Sequence, residues 1–257
     1  MEEKDLKQLL DSLVEVYNVP AFADTDPVQF PRRYTDVRDI EISALLTSTI
    51  AWGRRPMILA NAQKIHDILG GEPYRFVMEG DIDAISDANV HRTFFGRHLR
   101  YFLRGLRGIY HRYGSLEGLA ARPEIAGSDA PAWELARQIN QCLAVNNIDI
   151  DLGGPTRCLP DSPEKSALKR LNMALRWLVR RDGIVDIGCW EALKPSQLFI
   201  PLDVHSGNTA RTLGLLQRKQ NDRRAVEELT EALCRLRPDD PTVYDFALFG
   251  AGEAGVV

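Results

Sequence analysis

The chain predicts an all-helical protein, and two observations carry that expectation. Apolar residues recur at helical spacing through most of its 257 residues. No segment sustains the period-two alternation of a half-buried strand, so no sheet is expected. A hydrophobic fraction of 44% suffices for a sizeable core, and the length suits one large domain or two lobes.

Leu6, Leu9, Leu10, Leu13, Val14 and Tyr17 form one apolar stripe, which predicts an amphipathic helix over about 3–17. Asn18 to Arg33 holds Pro20, Pro27 and Pro31 and reads as an extended loop. Asp39 to Trp52 is strongly apolar and predicts a buried helix that stops at Gly53. Pro56 suits the first turn of the next helix, which ends near Leu69 at Gly70-Gly71. Phe94 to Tyr113 and Ala132 to Ala144 are further helices, with a loop over 121–131 between them. Asn146 to Ser162 is polar, rich in glycine and proline, and reads as a long loop. Ser162-Pro163 is a capping residue followed by a first-turn proline, so a helix is expected from there to about Arg181. After an irregular connection over 182–200, Asp203 or Ser206 opens a helix to about Leu213. Asp222 to Leu236 and Thr242 to Phe249 complete the set.

Bulk composition narrows the function. A net charge of −4 argues against a general polyanion binder, although charge can be segregated along a chain. Cys142, Cys158, Cys189 and Cys234 lie far apart without a CxxC pair. Neither a zinc site nor a cysteine-ligated iron–sulfur cluster is signalled, and no cofactor is expected. Scattered cysteines fit a reducing cytoplasm. The acidic N-terminus does not resemble a signal peptide, and no apolar run approaches the ~20 residues of a membrane span.

Four segments carry chemistry. In the first, Leu168, Leu171, Leu175 and Leu178 form a core-facing stripe, and beside it Lys165, Lys169, Asn172, Arg176 and Arg180 form a cationic ridge. An isolated lysine on such a helix is normally solvated. At the margin of the buried face it can be partly desolvated and serve as an amine nucleophile. In the second, an apolar run leads through Pro201 to Asp203 and His205. Aspartate at a helix start is a standard cap, and a capping carboxylate at a cleft mouth can also act in catalysis. In the third, His91 to Tyr113 holds six arginines and no acid. Arg97, Arg100, Arg104 and Arg107 share one face, suited either to phosphates or to the acidic stretch Asp81 to Asp87. In the fourth, Trp52 could stack on an extruded base while Arg54 and Arg55 hold phosphates; a core tryptophan at a helix end is the plainer alternative.

These segments have a recognisable order. Ser48-Thr49-Ile50-Ala51-Trp52-Gly53-Arg54 comes first, then the lysine helix, then Ile200-Pro201-Leu202-Asp203-Val204-His205 with Arg211 eight residues after the aspartate. Tyr244-Asp245-Phe246-Ala247-Leu248-Phe249-Gly250 closes the chain. The order resembles the helix-hairpin-helix DNA glycosylase superfamily. Lys169-Arg170-Leu171-Asn172-Met173, with its lysine 34 residues before Asp203, is most similar to the archaeal 8-oxoguanine glycosylase branch. There too the lysine lies on a helix well before the aspartate. The chain also looks like a bacterial family of uncharacterised proteins, domain of unknown function 2400, which has the same Arg54-Arg55-Pro56 and Lys169-to-Trp177 signatures. Two departures stand out. The apolar–Pro–Gly–x–Gly hairpin of the superfamily is absent before Lys169, where Asp161-Ser162-Pro163-Glu164-Lys165 stands instead. The C-terminal cysteine cluster of the iron–sulfur branch is also missing.

The resemblance implies a two-lobed helical fold with a cleft between the lobes. Residues 37–195 would form the central lobe, and 1–36 with 196–257 the second, made by both termini. It implies a monomeric DNA glycosylase, with possible AP-lyase activity, that acts on double-stranded DNA containing an oxidised purine such as 8-oxoguanine. Lys169 and Asp203 would be catalytic, without metal or cofactor. Trp52, Trp177, Asn172 and His205 would form the base pocket, and Arg54, Arg55, Arg97, Arg100, Arg104 and Arg176 would meet phosphates. The rivals are a non-catalytic DNA-binding protein of the same fold, and a helical protein acting on an unrelated ligand.

Overall fold

The structure, a computed structural model, describes residues 2–256. It is predominantly helical. The helices are α1 (Glu3–Tyr17), α2 (Pro20–Thr25), α3 (Val37–Thr49), α4 (Arg55–Ile68), α5 (Pro73–Glu79), α6 (Gly96–Tyr113), α7 (Leu116–Ala120), α8 (Pro123–Ala126), α9 (Pro131–Val145), α10 (Lys169–Val179), α11 (Val204–Thr212), α12 (Arg223–Leu236) and α13 (Tyr244–Ala254). The long helices fall where the apolar periodicity sets them. Three of the four short ones, α2, α5 and α8, begin with a proline, whose fixed φ suits a first helical turn. That is why the proline-rich stretch 18–33 and the loop over 121–131 hold helical turns.

Two further expectations are corrected. A small antiparallel hairpin, β1 (Asn89–His91) and β2 (Phe94–Phe95), pairs His91 with Phe94 across a turn at Arg92-Thr93. Strands of three and two residues are too short to show alternation. The helix expected from Ser162 starts instead at Lys169. The Ser162 side chain makes no capping bond, Pro163–Lys165 is a single 3-10 turn, and Leu168 takes left-handed backbone at φ 47. Leu168 is nevertheless buried, so its side chain is anchored in the core while the backbone reverses.

Packing brings the chemistry-bearing segments together. The buried residues form one apolar cluster. Helix α13 packs on both α1 and α11, α6 packs on α9, and α3 packs on α10. Residues Ile40 to Thr49 of α3 are all buried, which suits a helix enclosed on every side. Its one internal acid, Glu41, is fully buried and saturated. It accepts from the Tyr110 hydroxyl (2.6 Å), the Leu116 and Glu117 amides (3.0 and 2.9 Å) and the Trp190 indole (2.8 Å). Burial pushes this carboxyl upward despite those four donors.

The cationic ridge expected along the lysine helix is mostly interior. Arg176 and Arg180 are 4% and 2% exposed, and Asn172 is 1% exposed. Arg176 pairs with Asp186 at 3.3 Å and with Asp245. Arg180 pairs with Asp240 (2.9 Å), Asp182 (3.0 Å) and Asp186. Two guanidiniums thus face four carboxylates and tie α10 to α13 and to the loops on either side.

Candidate active site

Lys169 and Asp203 each mark a helix boundary, and the two boundaries face one another. Lys169 is the first residue of α10, and Asp203 is the cap of α11. The Lys169 Nζ lies 3.7 Å from Asp203 Oδ2, with the side chains 31% and 18% exposed. The Asp203 carboxylate has divided duties. Oδ1 accepts the Ser206 amide at 2.9 Å, while the Asp203 amide donates to Ser206 Oγ at 3.0 Å in a capping box. That fixes the rotamer and leaves Oδ2 aimed at the amine. The Asp203 carbonyl accepts from Asn221 Nδ2 at 2.9 Å, which holds the backbone from the other side. The expected cap and the expected site residue are one and the same.

The pair stands at the wall of a pocket of about 460 Å³. Aromatic rings from three segments line it: Phe22, Trp52, and Phe246 with Phe249 on α13. Trp52 packs edge-on against His91 at 4.5 Å, and the Arg170 guanidinium lies 5.0 Å from its ring centre. His205 stands against Phe249 at 5.9 Å. Asp26, Arg55, Arg176, Asp245 and Glu253 add further charges to the lining. Burial pushes the Asp245 carboxyl up to about 6, against the pull of Arg176, and nearby Asp203 adds to the rise. Burial likewise raises Asp26 against its bond from the Val28 amide. A cavity that combines aromatic rings with an amine, a carboxylate and a buried carboxyl pushed upward has the ingredients of a catalytic site. A second cavity, of about 410 Å³, shares Lys169, Asp203 and Val204 as its wall.

The remaining candidates sort by placement. Trp52, His205, Arg55 and Arg176 line the pocket with the pair. Trp177 is fully buried with its indole N–H unpartnered, so it has no face to offer a ligand. Asn172 is equally interior and donates to the Ala167 carbonyl at 3.1 Å. Arg176 is committed to Asp186 and Asp245, which corrects its expected role at a phosphate. Arg55 pairs with Glu253 at 2.8 Å on the pocket rim. On α6, Arg97 pairs with Asp87 at 2.7 Å, Arg104 with Asp83 at 2.6 Å, and Arg100 donates to the Ile85 carbonyl. The acidic stretch Asp81 to Asp87 therefore neutralises much of that arginine face. Arg54 is exposed.

Sequence reasoning missed Asp26, Asp245, Phe249 and Glu253 as pocket residues. The last three lie in the closing segment or just beyond it, and their i, i+4 and i+8 spacing would have put them on one face of a helix. Asp26 carried no signal, since a lone acid before a proline usually marks a turn.

Among the described residues no group of histidine, cysteine and acidic side chains is arranged to hold a metal ion, and no helix is long and apolar enough to cross a membrane. No curated protein and no solved structure matches the chain. One family model does match, over residues 26–254, a span that takes in Lys169, Asp203 and every pocket residue named above except Phe22. The chain belongs to the family described as Protein of unknown function (DUF2400).

Proposed function

We propose that this protein is a DNA glycosylase with AP-lyase activity, which excises an oxidised purine such as 8-oxoguanine through a lysine Schiff base. One observation carries the reading: a lysine amine 3.7 Å from a carboxylate oxygen left free by its own helix cap, at the wall of an aromatic pocket. The helix-hairpin-helix glycosylase-like fold belongs to the same proposal. The pocket would receive a nucleotide swung out of a duplex, stacked against rings such as Trp52 and Phe249.

The chemistry follows from the pair. The Lys169 amine attacks C1′ of the flipped sugar and a C–N bond forms. The bond from C1′ to the base nitrogen breaks, and its electron pair leaves with the base. Asp203 Oδ2 opposes the positive charge that develops on the sugar and can accept the proton the amine sheds. Opening of the sugar ring gives the Schiff base. Loss of a C2′ proton then expels the 3′ phosphate by β-elimination and nicks the strand. No step requires a metal.

Borohydride reduction makes the Schiff base permanent and gives the test. Wild-type protein incubated with an 8-oxoguanine duplex and sodium borohydride should yield a covalent protein–DNA adduct, and Lys169→Ala should yield none. An undiminished adduct from Lys169→Ala, or none from wild type, sinks the reading. Salt-dependent DNA binding without an adduct would instead favour a non-catalytic DNA-binding protein.

A further inference from the structure

Three segments far apart in sequence meet at the C-terminal end of α3, and each brings an exposed arginine. Arg54 directly follows the pocket residues Trp52 and Gly53. Arg92 occupies the turn of the β hairpin, which is fastened to the same place. His91 Nε2 lies 2.8 Å from the Trp52 carbonyl, and His91 Nδ1 lies 2.9 Å from Asn61 Nδ2. The Arg92 guanidinium lies over Gly53 so closely that a methyl group there would come within 2.9 Å of Nη1. Arg157 sits in the loop between α9 and α10. Its neighbour Cys158 accepts from Thr49 Oγ1 at 3.4 Å and turns its thiol to the His98 carbonyl at 3.7 Å.

These arginines differ from many on the charged surface. Several other guanidiniums there find carboxylates, such as Arg75 with Glu72 at 3.0 Å, Arg137 with Glu134 at 2.7 Å and Arg218 with Asp222. Exposed Arg112 and Arg224, also without a carboxylate among the described residues, lie apart on α6 and α12. Among the described residues, the side chains of Arg54, Arg92 and Arg157 have neither an ion-pair nor a hydrogen-bond partner. Arg92 and Arg157 also hold left-handed backbone, φ 51 and 61, which arginine adopts rarely. Burial and then the neighbouring guanidiniums push the two histidines between them downward, Arg92 acting on His91, and Arg97 and Arg157 on His98. In a chain of net charge −4, this gathers positive charge around the C-terminal end of α3, next to the pocket residues Trp52 and Gly53.

We propose that Arg54, Arg92 and Arg157 form a phosphate rail on the Trp52 side of the pocket, gripping the sugar–phosphate backbone of the strand whose base enters it. The rail rests on the glycosylase reading for the identity of that strand, whereas its chemistry is that of any nucleic-acid backbone. Guanidiniums free of carboxylates can make bidentate contacts with phosphate oxygens without first breaking an internal pair.

The test is the salt dependence of binding to a short 8-oxoguanine duplex, measured without borohydride. Each lost phosphate contact lowers the slope of log K against log salt by about 0.9. The triple variant Arg54→Ala/Arg92→Ala/Arg157→Ala should therefore flatten the slope by about 2.7, by the same counterion-release relation. The triple lysine variant should restore most of it, and Arg75→Ala/Arg137→Ala should leave the slope alone. An unchanged slope in the alanine triple, with its melting temperature intact, overturns the rail. So does a wild type with no affinity for the duplex at low salt. If the alanine triple loses slope while wild type never gives a borohydride adduct, the rail stands and the lyase chemistry falls. A trapped adduct with an unchanged slope does the reverse.

Discussion

The two ends of α10 carry the same charge and opposite meanings. At its start, Lys169 is about one-third exposed and meets one oxygen of one carboxylate at 3.7 Å. At its end, Arg176 and Arg180 are almost fully buried and divide four carboxylates between them. Periodicity gives the three residues one cationic ridge. What separates them is how completely each charge is answered. A saturated ion cluster holds elements together, whereas a cation at a pocket wall with one partly engaged partner still has chemistry to offer. Asp203 and Glu41 repeat the contrast among acids: four donors close Glu41, while Asp203 keeps Oδ2 open.

The buried end should show the larger stability effect. Arg180→Ala strips the counter-charge from Asp240 and Asp182 in one step and leaves Asp186 with Arg176 alone. A loss of about 3–5 kcal/mol is expected, which is typical for breaking a buried pair from one side. Urea unfolding monitored by far-UV circular dichroism measures it. A loss below about 1 kcal/mol, the range of an exposed pair, would erase the distinction between the two ends.

The same cluster should respond to pH through Asp245. Its folded carboxyl is pushed up to about 6 from the ordinary value of 3.8, chiefly by burial. The folded state therefore binds the proton more tightly than the unfolded chain. That advantage is present at low pH and is lost as pH rises through about 6. Asp245→Asn imitates the protonated form at every pH. Relative to wild type it should gain stability between pH 4 and pH 7, by up to about 3 kcal/mol for a shift of this size. Parallel melts across that range test the sign. A variant that instead falls further behind wild type as pH rises would mean that the ionised Asp245–Arg176 pair dominates.

The helical fold was largely legible in the sequence because helices write their packing into a 3.6-residue period. Residues 3–17 and the helices around Leu45, Leu106 and Leu229 are visible for that reason. The site was legible in part. Asp203 announced itself as a helix cap after a buried run, and Lys169 by its place beside an apolar stripe. The interior position of Arg176 was not legible, since one chain's periodicity cannot say which flank of a helix a second layer will cover. Here α13 and the loop with Asp186 close over it. Nor was the start of α10 legible: Ser162-Pro163 has the form of a helix start, and only the tertiary anchoring of Leu168 moves the start to Lys169. Arg92 and Arg157 share a hidden signal, because left-handed backbone at an arginine is set by the fold and not by the residue.

The smallest expected effect belongs to the residue on which the proposed chemistry depends. Lys169 occupies the first position of α10, at the positive end of the helix dipole, where a cation is unfavourable by some 0.3–1 kcal/mol. Its single ion pair is partly exposed and contributes about as little in the other direction. Alanine also has the better helix propensity, and Asp203 keeps its capping bonds to Ser206 after the substitution. Lys169→Ala should therefore leave the stability within about 1 kcal/mol of wild type, on the neutral or stabilising side, while abolishing the borohydride adduct. A structural lysine would behave otherwise. If Lys169→Ala costs more than about 2 kcal/mol in the same urea titration, the start of α10 belongs with its end, as one more element of the scaffold.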